Sequence, residues 1–132
     1  MGDRDFASTM TSNINTIVAV IDDDEGLRES VEHLLSLCGY GTECFGSAEE
    51  FLSSAATSKA VCLVVDIQLG DISGLELARQ LLADGYRYPI IFMTGLTDEN
   101  IRSQAEAVGG KAFLNKPFPA KMLLDAVKAA IR

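Results

Sequence analysis

The chain has 132 residues, of which 48% are hydrophobic, so it can form one globular domain with its own core. Its 19 acidic and 11 basic residues give a formal net charge of −8, which argues against direct binding of nucleic acid. No apolar run reaches the roughly 18 residues of a membrane span, so no membrane partner is expected.

The three cysteines, Cys38, Cys44 and Cys62, lie in apolar runs and form no CxxC pair. This pattern predicts buried, reduced thiols and a cytoplasmic location. Residues 1–13 are polar and lack the apolar core of a signal peptide. We therefore predict a flexible N-terminal tail at residues 1–13, followed by one domain at residues 14–132.

Apolar runs of strand length alternate with amphipathic stretches along the domain. The first half predicts, in order, a strand at about 16–21, a helix ended by Gly39, a more polar edge strand at 40–45, a short helix from Ser47 to about 55 and a continuously apolar strand at 60–66. Ser47 and Ser73 each stand three residues before a glutamate, which is the capping-box pattern of a helix start.

The second half continues the alternation. It predicts a helix from Ser73 to near Gly85, a strand at 89–94, a polar helix at 98–108 ended by Gly109-Gly110, a strand at 112–115 and a last helix at 119–131. Strict alternation of strands and helices predicts an α/β fold, a doubly wound parallel sheet with helices on both faces.

Polar side chains follow the predicted strands at the points where they end. Asp22 and Asp23 follow the first strand, Asp66 closes the third, Thr94 closes the fourth and Lys116 follows the fifth. Carboxyl ends of parallel strands meet at one edge, where neighbouring carboxylates repel one another. A hard divalent cation such as Mg2+ would relieve this repulsion. With a hydroxyl and an ammonium group added, the set predicts a site that receives a phosphoryl group.

In order and spacing, these residues resemble the receiver domain of bacterial two-component response regulators. The segments at 45–52 and 89–95 are most similar to its FixJ-like branch, named for a nitrogen-fixation regulator. The resemblance implies five strands in the order 2-1-3-4-5. The motifs that carry it are Asp22-Asp23, Asp66, Thr94 and Lys116-Pro117-Phe118.

The resemblance also implies residue roles. Asp66 would be the phosphoacceptor, which attacks the phosphohistidine of a sensor histidine kinase or phosphotransfer protein. Asp23 would bind Mg2+ directly and Asp22 through water, together with Asp66 and the main-chain carbonyl of Gln68. Lys116 would pair with Asp66 and later with the phosphoryl group, and its bond to Pro117 would be cis.

A conformational switch is implied at the neighbouring strand ends. Thr94 would move to the phosphoryl group, small Gly95 would leave access to it, and Phe113 would swing into the space that Thr94 leaves. Core packing alone explains Phe113 equally well. The altered surface would comprise the fourth helix, fifth strand and fifth helix, and would contact a downstream partner, an output domain or a second copy of the chain.

One segment departs from the family pattern: Leu69-Gly70 stands where receivers usually have Met-Pro. Loss of the proline predicts a more mobile loop. Arg28, at the start of the first helix, is predicted to face solvent, and His33, in the middle of that helix, is predicted to be exposed.

Two other functions compete with the receiver interpretation. A haloacid-dehalogenase-like phosphatase would need an acid two residues after its nucleophile, where this chain has Gln68. A pseudo-receiver would only bind a partner, although every phosphoacceptor residue is present. The favoured interpretation is therefore not an enzyme beyond its own phosphoryl transfer and autodephosphorylation. The chain would be either a stand-alone receiver or a domain of a longer regulator.

Overall fold

The computed structural model describes residues 16–96 and 98–131, and the predicted tail at residues 1–13 lies outside them. None of the helices in these two ranges is long and apolar enough to cross a membrane. The elements in chain order are β1 (Ile17–Ile21), α1 (Glu25–Leu37), β2 (Gly41–Phe45), α2 (Ala48–Ser54), β3 (Ala60–Asp66), α3 (Gly74–Ala83), β4 (Ile90–Thr94), α4 (Glu99–Ala107), β5 (Gly110–Asn115) and α5 (Ala120–Ile131).

The five strands form one sheet in the order β2-β1-β3-β4-β5, and every neighbouring pair is parallel. This confirms the predicted doubly wound α/β fold. Residues of α2, α3 and α4 pack on one face around Phe51, Leu77 and Phe92. Residues of α1 and α5 pack on the other face around Leu35 and Leu123. Both faces are covered, as a parallel sheet requires, so the strand ends remain as the accessible edge.

Two serines begin helices as predicted. Ser47 Oγ accepts a hydrogen bond from the Glu50 amide at 3.1 Å, and Ser73 Oγ accepts one from the Glu76 amide at 3.1 Å. The return half of the capping box differs, because the Glu50 carboxylate accepts from the Gly46 amide at 3.0 Å instead of from the serine. The sequence pattern therefore located both helix starts, although only half of the paired hydrogen bonding forms.

The prediction of three buried thiols is wrong for two of the cysteines. Cys62 in central β3 is buried, Cys44 is half-buried and Cys38 is exposed. Cys44 lies in β2, an edge strand whose residues are all only half-buried. Cys38 follows the last turn of α1, where Gly39 takes a φ of 86° and leads the chain away from the helix. His33 is exposed, as predicted.

The turn from α4 to β5 places Gly109 and Gly110 in different elements. Gly109 has a φ of 97°, the left-handed conformation that commonly ends helices. Gly110 is already the first residue of β5, two residues before the predicted strand start. A side chain at Gly110 would lie 2.6 Å from the Ala105 carbonyl oxygen, so close packing of strand and helix requires glycine here.

Candidate functional site

An acidic cluster lies at the carboxyl ends of β1 and β3. Carboxylate oxygens of Asp22, Asp23 and Asp66 lie within 4.8 Å of one another. Asp22 and Asp66 are buried, whereas Asp23 is exposed. The cluster forms because β1 and β3 are neighbours in the sheet and end at the same edge, although the residues are over forty positions apart.

Both oxygens of the Asp66 carboxylate have partners. Oδ2 accepts a hydrogen bond from Lys116 Nζ at 2.7 Å, and Oδ1 accepts one from the Gln68 amide at 2.9 Å. Burial by itself would lower the pKa of Lys116. The hydrogen bond to Asp66 and the attraction of Asp22 and Asp66 outweigh burial, so the pKa of Lys116 is raised. Lys116 is therefore positively charged at neutral pH and forms a charge-assisted hydrogen bond with the Asp66 carboxylate.

Asp22 has one satisfied oxygen and one that lacks a donor. Oδ1 accepts a hydrogen bond from the Asp24 amide at 2.8 Å. Oδ2 is buried, has no hydrogen-bond partner among the residues described, and lies 3.6 Å from Lys116 Nζ. Burial raises the pKa of Asp22, and the charges of Asp66 and Asp23 add to this effect, against the Asp24 hydrogen bond and Lys116.

This arrangement fits a divalent metal ion. A buried carboxylate oxygen without a donor is costly unless a cation or another donor satisfies it. The cluster offers carboxylate oxygens, which are the ligands that Mg2+ prefers. Asp23 is exposed beside the buried pair, so the cluster is open to solvent on one side.

The residues after β4 and β5 complete the edge. The Lys116–Pro117 peptide bond is cis, and the Lys116 amide donates to the Thr94 carbonyl at 2.7 Å. Thr94 is buried, and its Oγ1 accepts a hydrogen bond from the Leu96 amide at 3.0 Å. A side chain at Gly95 would lie 3.8 Å from Gln68 Oε1, an ordinary contact. Thr94, Gly95 and Lys116 therefore lie at the same edge as the carboxylates.

Phe113 lies apart from the carboxylate cluster. It is half-buried in β5, three residues before Lys116, and packs against the core on the α4 side of the sheet. The Arg102 guanidinium of α4 lies 5.8 Å from the centre of its ring. Phe113 thus links β5 to the α4 surface rather than contacting the acids.

Gly74 begins α3 directly beneath the site. Its amide donates to the Ile67 carbonyl at 2.8 Å. A side chain there would lie 2.4 Å from the main-chain oxygen of Asp66, closer than atoms can approach without movement of the backbone. Glycine at this position therefore allows α3 to begin close behind the end of β3.

Arg28 is a site residue that the sequence analysis missed. Its Nη1 donates a hydrogen bond to the main-chain carbonyl of Asp22 at 2.7 Å, and the residue is half-buried, so the prediction of a solvent-facing side chain is wrong. Helical side chains point towards the helix N-terminus, so a long residue in the first turns of α1 can reach back to β1. That geometry is the signal by which it could have been found.

Comparison with known proteins assigns the chain to a family. Residues 18–128 match the response regulator receiver domain. The response regulator protein TodT of Pseudomonas putida is 35% identical over 117 residues, which make up 89% of this chain and 52% of TodT. The transcriptional regulatory protein FixJ of Azorhizobium caulinodans is 38% identical over 114 residues, 86% of this chain and 54% of FixJ.

A solved structure agrees with the sequence relatives. The crystal structure of FixJ-N is 32% identical, superimposes with a TM-score of 0.82, and matches 88% of this chain and 93% of that one. The chain belongs to the response regulator receiver domain family of two-component systems. Within that family it is FixJ-like, which confirms the resemblance seen in the sequence. It spans about half the length of the curated relatives it matches.

Proposed function

We propose that this receiver accepts a phosphoryl group on Asp66 from the phosphohistidine of a sensor histidine kinase or phosphotransfer protein. The observation that carries the proposal is the 2.7 Å pairing of Asp66 with Lys116 inside the carboxylate cluster. A nucleophilic carboxylate must lie beside groups that can stabilise the charge of the incoming phosphoryl group, and this pair meets that requirement.

The transfer is a balanced exchange of two bonds. A carboxylate oxygen of Asp66 forms a bond to phosphorus while the phosphorus–nitrogen bond of phosphohistidine breaks, and its electron pair returns to the imidazole nitrogen. Lys116 then moves from the carboxylate to a phosphoryl oxygen, which its mobile point charge suits. The domain carries the product, so it catalyses its own phosphorylation and dephosphorylation and no other reaction.

Asp23, Asp66 and the main-chain carbonyl of Gln68 would hold Mg2+ directly, and Asp22 through water. Bound there, Mg2+ would offset charge on the transferring phosphoryl group. The buried oxygen of Asp22 that lacks a donor supports this assignment. Asp22 would orient water and Asp23 would close the exposed side of the cluster.

Phosphorylation would be transmitted through Thr94 and Phe113. The Thr94 hydroxyl would exchange the Leu96 amide for a phosphoryl oxygen, and the ring of Phe113 would turn inward from its place against Arg102. A cleft of about 320 Å³ opens on the α4 and β5 surface beside Phe113, so an inward turn of the ring would change the shape of this surface. The α4-β5-α5 surface would then bind a downstream partner, an output domain or a second copy of the chain.

Intact mass after incubation with acetyl phosphate tests the proposal. We expect one phosphate adduct that requires Mg2+ in the wild type and in Asp84→Asn, an exposed acid at the end of α3. Asp66→Asn should take up none, because the amide cannot act as the nucleophile. An adduct on Asp66→Asn, or none on folded wild type with Mg2+ bound, would contradict the proposal.

A further inference from the structure

The loop between β3 and α3, residues 67–73, borders the acidic cluster and lacks the proline typical of receivers. Gly70 lies beside Asp23, since a side chain there would be 3.4 Å from Asp23 Oδ2. Gln68, which would offer its carbonyl to Mg2+, belongs to the same loop. Glycine leaves the backbone more freedom than proline, so this loop needs another restraint to keep these groups in place.

The two ends of the loop are held by its own residues. At the start, the Gln68 amide donates to Asp66 Oδ1 at 2.9 Å. At the finish, the Gly74 amide donates to the Ile67 carbonyl at 2.8 Å. Leu69 and Ile72 also pack against the core. These contacts hold the ends of the loop, and the middle of the loop is held from outside through the Asp71 side chain.

Asp71 supplies that outside contact. Its carboxylate accepts hydrogen bonds from the Ala48 amide at 3.4 Å and the Glu49 amide at 3.0 Å, the first two residues of α2. The Glu50 amide, third in the helix, is taken by Ser47 Oγ. Helix starts leave such amides without helical partners, so the loop satisfies two donors that α2 itself cannot.

The charge of Asp71 favours the same contact. Burial would raise the pKa of Asp71, but hydrogen bonds from the amides of Glu49, Ile72, Asp71 and Ala48 outweigh it and lower the pKa. The carboxylate is therefore ionised at neutral pH, and an anion is stabilised at the N-terminus of a helix. The contact is both hydrogen-bonded and electrostatic.

We propose that Asp71 is a positioning residue for the acidic cluster: it ties the middle of the β3–α3 loop to α2, and thereby keeps Gly70 beside Asp23 and the Gln68 carbonyl in reach of a cation. Its effect on Mg2+ rests on the proposed function, whereas its effect on the loop does not. Asp71 thus replaces, by a contact across the fold, the local rigidity that the missing proline would have provided.

Asp71→Ala and Ser47→Ala form a matched pair. Both remove hydrogen bonds from the first turn of α2, but only Asp71→Ala releases the loop. In the metal-free protein we expect amide hydrogen exchange at residues 69–71 to accelerate about tenfold or more in Asp71→Ala and to stay unchanged in Ser47→Ala. Titration calorimetry with Mg2+ should show several-fold weaker binding for Asp71→Ala alone. Asp71→Asn keeps one acceptor oxygen, so its loop exchange and its Mg2+ affinity should lie between those of Asp71→Ala and Ser47→Ala. This variant also serves as the test if Asp71→Ala does not fold.

Equal loop exchange and equal Mg2+ affinity in wild type and Asp71→Asn or Asp71→Ala would overturn the inference. The same would follow if Ser47→Ala reproduced both changes, because the effect would then come from α2 stability alone. Failure of the proposed function looks different: wild type would take up no phosphate at Asp66, whatever the exchange of the loop.

Discussion

Asp22 and Asp23 are adjacent acids with different surroundings. Asp22 is fully buried with one oxygen lacking a donor, whereas Asp23 is exposed at the rim of the cluster. The end of β1 turns one side chain into the protein and the next outward. At this scale the chemistry of a residue follows from its hydrogen-bond partners and burial rather than from its type.

Cys44 shows the same dependence. Its Sγ lies 2.7 Å from a carboxylate oxygen of Glu32 and donates to it. Burial first, and then the hydrogen bond and charge of Glu32, raise the pKa of Cys44 to about 12. The thiol is therefore protonated at neutral pH, although it is only half-buried.

Glu32→Gln should make Cys44 more reactive. Removal of the carboxylate charge lowers the thiol pKa, so more thiolate is present at a given pH and alkylation by iodoacetamide should be several-fold faster. Peptide mass spectrometry would give the rate at Cys44. Glu29→Gln, an exposed acid of the same helix, is the control and should change nothing. A Cys44 rate unaltered by Glu32→Gln would show that burial alone suppresses the thiol.

At the scale of elements, helix starts are held next to strand ends by a glycine that allows close packing and by side chains that hydrogen-bond to the main chain. Gly74 lets α3 begin directly behind the end of β3, and Asp71 ties the preceding loop to the start of α2. Arg28 of α1 reaches back to the Asp22 carbonyl. The first turns of α1 and α3 therefore contact the edge that carries the acids, and the first turn of α2 contacts the loop beside it.

Gly74→Ala should destabilise the fold. The new methyl group would overlap the main chain of Asp66, and overpacking of this kind costs about 1–3 kcal/mol of unfolding free energy, occasionally more. Urea denaturation would measure the loss. Gly26→Ala in α1 is the matched control, because its side chain would lie 3.5 Å from Asp24 Oδ1, an ordinary contact. That variant should be neutral, or more stable by up to about 1 kcal/mol, and equal stability of the two variants would refute the steric argument.

At the scale of the whole molecule, the site works against the stability of the fold. The acidic cluster lies on the edge of a sheet whose central strands are almost wholly buried. Burial and neighbouring charges raise the pKa of Asp22, so ionised Asp22 destabilises the folded protein when no metal is bound. Binding of a cation would reverse the sign of this contribution.

Asp22→Asn should therefore stabilise the metal-free protein. In the presence of a chelator near pH 7, we expect the unfolding free energy to rise by about 1–3 kcal/mol, because the neutral amide removes a buried negative charge from beside Asp66 and Asp23. The folded pKa of Asp22 lies above its ordinary value of 3.8. As the pH falls through the folded pKa towards 3.8, wild-type Asp22 becomes protonated in the folded state, so the stability advantage of Asp22→Asn should shrink. Chemical denaturation over this pH range measures it.

Mg2+ should stabilise wild type more than Asp22→Asn. Ligand at a hundred times its dissociation constant stabilises a folded protein by about 2.7 kcal/mol, and wild type should gain this while Asp22→Asn gains less. Asp98→Asn, a helix-start acid outside the cluster, should respond to Mg2+ as wild type does. A metal-free Asp22→Asn less stable than wild type would contradict the assigned cost.

Local patterns in the chain are sufficient to predict the order of the elements and the edge that carries the site. Apolar periodicity depends on neighbours a few residues apart, and parallel strands bring their carboxyl ends together whatever their separation. Asp22, Asp66 and Lys116 could therefore be assigned to one edge from their places after β1, β3 and β5. The helix starts at Ser47 and Ser73 could also be predicted, because each serine caps its helix through an amide only three residues away.

Contacts between distant segments emerge only in the folded protein. Asp71 meets the start of α2 across more than twenty residues, Arg28 turns back to Asp22, and Cys38 and Cys44 are more exposed than their apolar neighbours suggest. Each outcome depends on which side chain faces which element after packing, and a linear pattern does not encode that. That one oxygen of Asp22 lacks a donor is likewise decided by the packed edge, because only the folded arrangement of several strands determines which donors lie within its reach.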